Sequence, residues 1–290
     1  MAYVRDRYQL KNGIEVCEHH MSGCRPAWMP RQKRRKPTPE EMEKANQREK
    51  IRRTRRLMLN NFDEGDLYVT LTYRKEERPE DMDQAKRDFT RFMGMVKRRF
   101  QKAGTDPRWI RNIEQGTRGG WHAHLLIGNE AALDVEGILT EAWEKKMGLG
   151  RVISERTYMD GGFRNLSAYM AKEARKNDGT LRTSFSTSRN LIRPERERTE
   201  YVRRSAIRED GTWKEIVAPD GYYLDADSVE TWENPVTGYP CRRYMLLKER
   251  RMHERKDNRR GNAADRTASP ASGQPEKRPR GSHRARKEHP

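Results

Sequence analysis

Cysteine is scarce in this sequence, and long apolar runs are missing from it. Three cysteines in 290 residues, Cys17, Cys24 and Cys241, cannot build the disulfide framework of a small secreted protein. No apolar run reaches the length that crosses a bilayer, and the N-terminus lacks the apolar segment of a signal peptide. We therefore expect a soluble, cytoplasmic protein that has no membrane partner.

Two of the cysteines stand close to two histidines, in the cluster Cys17, His19, His20 and Cys24. Thiolates and imidazoles are ligands that zinc prefers. Four candidate ligands in so short a segment fit poorly with the paired spacing of a zinc finger. Zinc binding at this cluster therefore stays an open alternative.

The charge of the chain is high and unevenly distributed. Apolar residues make up only 33% of the sequence and charged residues 37%, so part of the chain should lie outside any core. Residues 25–60 hold 13 Lys or Arg against four Asp or Glu, and residues 248–290 hold 14 against six, which accounts for most of the net charge of +18. Two basic arms favour a polyanionic partner such as nucleic acid. The alternative is that they are only solvated tails.

Hydrophobic patterns predict alternating strands and helices in the middle of the chain. A capping box, Thr38-Pro39-Glu40-Glu41, begins a basic helix that runs to about Asn60. The later patterns predict a strand at 67–73, a helix at 81–102, strands at 109–114 and 121–127, a helix at 133–146, a strand at 151–158 and a helix at 165–176. The first six of these follow the split βαβ order, which predicts an α+β fold with a ferredoxin-like antiparallel sheet.

Four regions follow from this pattern. Residues 1–65 are predicted to be a basic N-terminal arm and helix, without convincing periodicity before residue 38. Residues 66–180 form the α+β domain, residues 181–250 a small β-rich appendage, and residues 251–290 a disordered basic tail. Aromatic residues in the appendage would fill a small core or stack on bases.

The predicted strand at 121–127 carries His122 and His124. Side chains alternate along a strand, so both histidines point to one face, with Cα atoms roughly 6–7 Å apart. Two imidazoles at that spacing can bind one divalent cation. If the preceding turn centres on Arg118, Glu114 lies opposite His122 and is a candidate third ligand, whereas a shift of one residue would turn it away. The alternative is a set of polar side chains on a solvated sheet face.

The last predicted helix brings Tyr169 and Lys172 to the same side, three residues apart. Such a pair, taken alone, is more typical of a tyrosine at a helix–sheet boundary beside an exposed lysine. Tyr158 ends the last predicted strand, and it is a second tyrosine that could reach the same site.

Taken together, these residues resemble the HUH endonucleases, specifically the replication initiators of rolling-circle plasmids and phages. Val69–Tyr73 resembles the first family motif, Trp121–Ile127 resembles the His-hydrophobic-His motif, and Tyr169–Lys172 resembles the Tyr-x-x-Lys motif. The resemblance covers about residues 66–180. A tyrosine after the histidines is the order found in initiators, although this motif has one tyrosine where some initiators carry two.

The resemblance implies a metal-dependent endonuclease that nicks and rejoins single-stranded DNA at a replication origin. Tyr169 would attack a phosphate to give a 5′-phosphotyrosine link and a free 3′-hydroxyl, and Lys172 would neutralise charge on that phosphate. His122, His124 and Glu114 would hold Mn²⁺ or Mg²⁺. A host helicase and polymerase are the expected partners, because the sequence contains no P-loop motif.

Basic residues around this domain are the candidates for contacts with DNA phosphates: Arg34, Arg35, Lys36, Arg52, Arg53, Arg55, Arg56, Arg118 and Arg189. Two other functions stay open. A transposase or mobilisation relaxase would use the same chemistry, and ferredoxin-like sheets also serve as non-catalytic modules that bind RNA or single-stranded DNA. Such modules need exposed aromatic residues on the central strands, where this sheet presents His122 and His124.

Overall fold

The structure is a computed structural model. It describes residues 3–20, 36–116, 119–159, 161–173, 180, 182–197, 200–202, 206, 208, 213–233 and 240–249. Within these residues the chain forms two antiparallel five-stranded sheets and helices that pack on them, which is a mixed architecture compatible with the predicted α+β class.

The first sheet, called the central sheet below, is built from five strands in the middle of the chain: β3 (Leu67–Thr72), β4 (Trp109–Gln115), β5 (Trp121–Ile127), β6 (Val152–Arg156) and β7 (Thr183–Thr187). Their spatial order is β6-β3-β5-β4-β7. The strand with the two histidines, β5, lies in the middle and has the bounds that its alternation predicts. The sheet also includes β7, which lies beyond residue 180, where the sequence had suggested a boundary.

One face of the central sheet is covered by α2 (Met82–Lys102) and α3 (Val135–Thr140), which continues as a π-helical turn (Glu141–Lys146). Helix α2 begins at Asp81, whose side chain accepts a hydrogen bond from the backbone N–H of Gln84. Its apolar stripe is buried against the sheet: Phe89, Phe92, Val96 and Phe100.

The opposite face of the central sheet is covered by α1 (Pro39–Asn61) and α4 (Arg164–Met170). The predicted capping box at the start of α1 is confirmed, because the side chains of Thr38 and Glu41 each accept the other's backbone N–H. Helix α4 is shorter than predicted and ends at Met170. Lys172 therefore follows the helix, and the prediction that it lies on a helical face is wrong.

The second sheet, called the terminal sheet below, joins both ends of the described chain. Its strands are β1 (Tyr3–Leu10), β2 (Gly13–His20), β8 (Glu200–Val202), β9 (Tyr222–Glu233) and β10 (Pro240–Lys248), in the order β8-β1-β2-β10-β9. The hairpin of β1 and β2 lies where the sequence showed no convincing periodicity. Buried carboxylates at Glu15 and Glu18 interrupt the apolar alternation of β2, and their arginine partners lie far away in the sequence, so the pattern is hidden.

Candidate active site

The register of the central sheet gathers the polar residues of three strands on one face. In this register His124 lies opposite Thr70 on β3 and opposite Asn112 on β4, while His122 lies opposite Glu114. The predicted hairpin register is therefore confirmed, and Glu114 shares the histidine face. This is the face that α1 and α4 cover.

His124 is the centre of a hydrogen-bonded group. Its Nδ1 atom lies 2.9 Å from the hydroxyl of Tyr68 and 3.3 Å from that of Thr70, and its Nε2 atom lies 2.9 Å from the hydroxyl of Tyr169. The side chain is buried, and this burial, with a smaller effect of His122, lowers the pKa of His124 to about 4. His124 is therefore a neutral imidazole at neutral pH.

A neutral imidazole has one N–H and one lone pair. When the phenol of Tyr169 donates to Nε2, the proton lies on Nδ1 and is donated to Tyr68 or Thr70. Burial raises the pKa of Tyr169, and the charge of Glu114 raises it further, although a hydrogen bond with Tyr68 acts in the opposite direction. Tyr169 is 41% exposed, so its phenol lies between the sheet and solvent.

Lys172 lies near Glu114, with 3.9 Å between Nζ and Oε1. The lysine side chain is 55% exposed, whereas that of Glu114 is 21% exposed. The structure therefore brings four of the predicted residues, Glu114, His124, Tyr169 and Lys172, into one chain of contacts. His122 adjoins this chain, because its ring centroid lies 6.2 Å from that of His124.

The donor set in this chain suits a divalent cation. Two imidazoles and a carboxylate are ligands for Mn²⁺ or Mg²⁺. Hydroxyl partners at Nδ1 of His124 leave the Nε2 lone pair for a ligand, as is usual for metal-binding histidines. In the part of the chain that the structure describes, however, no three His, Cys, Asp or Glu side chains already surround a common point.

Tyr158, the other tyrosine predicted to reach the site, lies away from it. It is 73% exposed and follows β6, whose last residue, Arg156, lies opposite Leu67 on β3. His124 lies opposite Thr70, three residues further along that strand. The two positions are separated along β3 by roughly 10 Å or more.

The turn before α4 fixes the start of the helix that carries Tyr169. Phe163 has φ of 58°, and Gly161 and Gly162 also lie in the left-handed region. A Cβ atom at Gly162 would lie 2.5 Å from a side-chain atom of Leu247, so only glycine fits there. The strain at Phe163 is offset by its burial in the core.

Arg55, one of the predicted phosphate ligands, holds this same turn. Its guanidinium donates to the carbonyl oxygens of Gly161 and Gly162 and to Oδ2 of Asp225 at 2.6 Å. Arg56 is equally buried and pairs with Glu15 and Glu49. Since both guanidinium groups are buried against carboxylates, the prediction that they bind DNA phosphates is not supported, and we assign them to the core.

The remaining predicted DNA-binding residues divide into three groups. Arg52 pairs with Glu49 and Glu230, with its side chain 23% exposed. Lys36, Arg53 and Arg189 are exposed. Three further residues lie outside the described residues: Arg34, Arg35 and Arg118.

The candidate zinc cluster is described only in part. Cys17 and His19 lie on β2, and Cys17 is a free thiol whose pKa is raised by burial. The side chain of His20 and all of Cys24 lie outside the described residues. Zinc binding there stays a hypothesis.

Two residues of the site were not predicted from the sequence, Tyr68 and Asn112. Asn112 is buried beside His124, and its amide nitrogen lies 3.4 Å from the carbonyl oxygen of Lys172. The period of two was a usable signal for both, because it places Tyr68 on the face of Thr70 and Asn112 on the face of Glu114.

Comparison with known proteins gives one match. Residues 66–178 match a family model of replication-associated proteins, the ORF2 type. This segment begins just before β3 and includes His122, His124, Tyr169 and Lys172. No curated protein and no solved structure matches the chain significantly. Among the helices that the structure describes, none is long and apolar enough to span a membrane.

Proposed function

We propose that the protein is a rolling-circle replication initiator that nicks and rejoins single-stranded DNA at an origin. The observation that carries the proposal is the 2.9 Å contact between the phenol of Tyr169 and Nε2 of His124. The contact lies inside the segment that matches replication-associated proteins. A nucleophile, a histidine pair and a lysine in that segment fit phosphoryl transfer better than binding alone.

In this proposal Tyr169 is the nucleophile. A bond forms between its phenolic oxygen and phosphorus, and the bond from phosphorus to the 3′ oxygen breaks. The phenolic proton leaves, and the 3′ oxygen takes up a proton, so the products are a 5′-phosphotyrosine link and a free 3′-hydroxyl. The link preserves the phosphoester, which allows rejoining without ATP.

The neighbouring residues would orient and neutralise the reacting groups. His124 holds the Tyr169 phenol in position, and Tyr68 and Thr70 hold His124. Lys172 would balance negative charge on the phosphate. His122, His124 and Glu114 would hold a divalent Mn²⁺ or Mg²⁺ ion, which polarises a phosphate oxygen when bound.

The fold supports this proposal. The strand order β6-β3-β5-β4, with α2 and α3 on one face, is compatible with the ferredoxin-like arrangement expected for the segment 66–180. The basic arms at 25–60 and 248–290 would add affinity for the DNA backbone. The strand would be opened by a host helicase and extended by a host polymerase.

Covalent capture tests the proposal. Labelled single-stranded oligonucleotides that tile the origin region of the encoding element would be incubated with the protein and Mn²⁺ and then separated on a denaturing gel. We expect a labelled band at the mass of the protein plus DNA, together with a shorter oligonucleotide that ends in a 3′-hydroxyl. Cleavage that leaves no covalent protein–DNA band would exclude the tyrosine mechanism.

A further inference from the structure

A cleft of about 610 Å³ lies between α1, β1, β7 and the segment that follows β7. None of its lining residues takes part in the chemistry proposed for Tyr169. Its walls combine basic and aromatic side chains, among them Tyr8, Lys50, Arg53, Phe185 and Arg193.

The cleft adjoins the candidate active site through the register of the central sheet. Phe185 lies opposite Asn112, and Asn112 lies opposite His124, so these three residues form one row across β7, β4 and β5. Two strand spacings put the backbones of Phe185 and His124 roughly 10 Å apart. A polymer that leaves the active site along this row enters the cleft.

Helix α1 connects the cleft to the end of the helix that carries Tyr169. Gln47 donates from Nε2 to the carbonyl oxygen of Ala171 at 3.0 Å, and Lys50 forms an ion pair with Glu173. Lys50 also lies over the ring of Phe185, 5.6 Å from its centroid. One side of the cleft is therefore the same surface that borders residues 171–173.

The charges that line the cleft favour an anion. Four basic side chains line it, those of Lys50, Arg53, Arg56 and Arg193, against one acidic side chain, that of Glu49. Two of the basic residues are exposed. The side chain of Arg53 is 75% exposed and contacts Glu49 through Nε, and Arg193 donates to the hydroxyl of Thr187 at 3.2 Å. An exposed ion pair is weak and exchanges readily for a phosphate.

We propose that this cleft binds the single-stranded DNA that flanks the scissile phosphate, with Arg53 and Arg193 as phosphate contacts and Phe185 as a surface for a base. The identity of the strand rests on the proposed function. Cations that follow a backbone beside an aromatic ring are the composition of single-strand grooves. An acidic peptide would match the charge but would give no role to the row that leads to His124.

The test measures binding of fluorescein-labelled (dT)12 by fluorescence anisotropy over a series of salt concentrations, using the full chain. In the double variant Arg53→Ala/Arg193→Ala we expect about tenfold weaker binding at low salt. We also expect the slope of log affinity against log salt to fall by about 1.4, since each phosphate contact on a single strand contributes about 0.7.

A second double variant, Arg91→Ala/Arg98→Ala, is the matched control. It removes the same charge from exposed positions on α2, which covers the opposite face of the central sheet. We expect its salt slope to equal that of the wild type. Equal losses in the two double variants would overturn the proposal, because they would show an effect of net charge alone. Equal weakening of (dT)12 and of a hairpin duplex by Arg53→Ala/Arg193→Ala would also overturn it.

Crosslinking provides an independent measure of position. A (dT)12 strand with 5-bromodeoxyuridine substituted for thymidine should crosslink on irradiation to peptides from 46–57 or 182–194. Crosslinks confined to peptides from the basic arms would contradict the proposal. The covalent capture experiment judges the nicking function separately, so a failure of the cleft and a failure of the function give different results.

Discussion

The hydroxyl of Tyr169 and Nε2 of His124 lie 2.9 Å apart, and their rings meet edge to face with centroids 4.9 Å apart. The contact joins a residue of α4 to the middle strand of the central sheet. It selects one phenol among the tyrosines near this face and makes the histidine its immediate partner.

The first prediction concerns this phenol. Tyr169→Phe removes one oxygen and little packing volume, so the fold should persist while covalent adduct formation falls to background. Tyr158→Phe is the control and should form adduct at the wild-type rate, since Tyr158 is exposed and lies away from His124. Peptide mapping of the wild-type adduct checks the assignment, and a 5′-phosphate on Tyr158 would contradict it.

The second prediction concerns the metal. His124→Gln and His122→Ala should each weaken Mn²⁺ binding at least tenfold in calorimetric titration, because each removes an imidazole donor. Glu114→Gln should have a smaller effect, since the amide keeps one oxygen donor but loses the charge. Noncovalent binding of single-stranded DNA should largely survive. Unchanged Mn²⁺ affinity in both histidine variants would remove these residues from the metal site.

The third prediction concerns Tyr68, which holds Nδ1 of His124. Tyr68→Phe keeps the ring that stacks on the imidazole but removes the hydroxyl. We expect about tenfold weaker Mn²⁺ binding and a loss of about 1 kcal/mol in the free energy of unfolding. Tyr73→Phe is the matched control, because its hydroxyl lies near Asp88 on α2. An equal effect of the two substitutions on Mn²⁺ affinity would show that Tyr68 has no particular role.

The fourth prediction separates core arginines from surface arginines on α1. Arg55→Ala should lower the free energy of unfolding by about 3–5 kcal/mol, because it leaves Asp225 buried with only its contact to Arg164 and releases the turn before α4. Arg53→Ala should cost no more than about 0.5 kcal/mol. Urea denaturation measures both. Equal, small losses would place Arg55 among the surface residues.

The fifth prediction follows from the low pKa of His124. A folded-state pKa of about 4, below the ordinary value of 6.5, means that the unfolded chain binds the proton more tightly. The contribution of His124 is complete above pH 6.5, and up to about 3 kcal/mol is lost as the pH falls towards 4. His124→Gln should therefore show a shallower decline in unfolding free energy between pH 7 and pH 4. Parallel declines would contradict this.

The sequence predicted the parts of the fold that depend on local patterns. The alternation around His122 and the apolar stripe of α2 gave β5 and α2 almost at their observed bounds, and the symmetry of a short turn gave the register of Glu114. The ends of elements were less predictable. Nothing in the pattern at 165–176 signals that α4 ends at Met170, because no glycine or proline lies in that stretch.

The terminal sheet was not predicted, because its determinants are partners far apart in the chain. Glu18 is buried on β2 only because Arg5 and Arg242 pair with it. Arg55 and Arg56 look like phosphate ligands in sequence, since the carboxylates that neutralise them lie on other elements. Charge along one helix therefore overstates its affinity for DNA when partners from distant strands are unknown.

The position of β2 between β1 and β10 has a consequence for synthesis on the ribosome. Cys17 pairs with Asp6 in the hairpin but also with Arg243, more than 200 residues later. All strands of the central sheet emerge before β10, so Tyr169 and His124 are translated while the edge of β2 is still open. The last strand to be made closes that edge and, with β9, supplies Asp225 to the arginine beneath α4. Maturation of the nucleophile's helix is thereby tied to completion of the polypeptide.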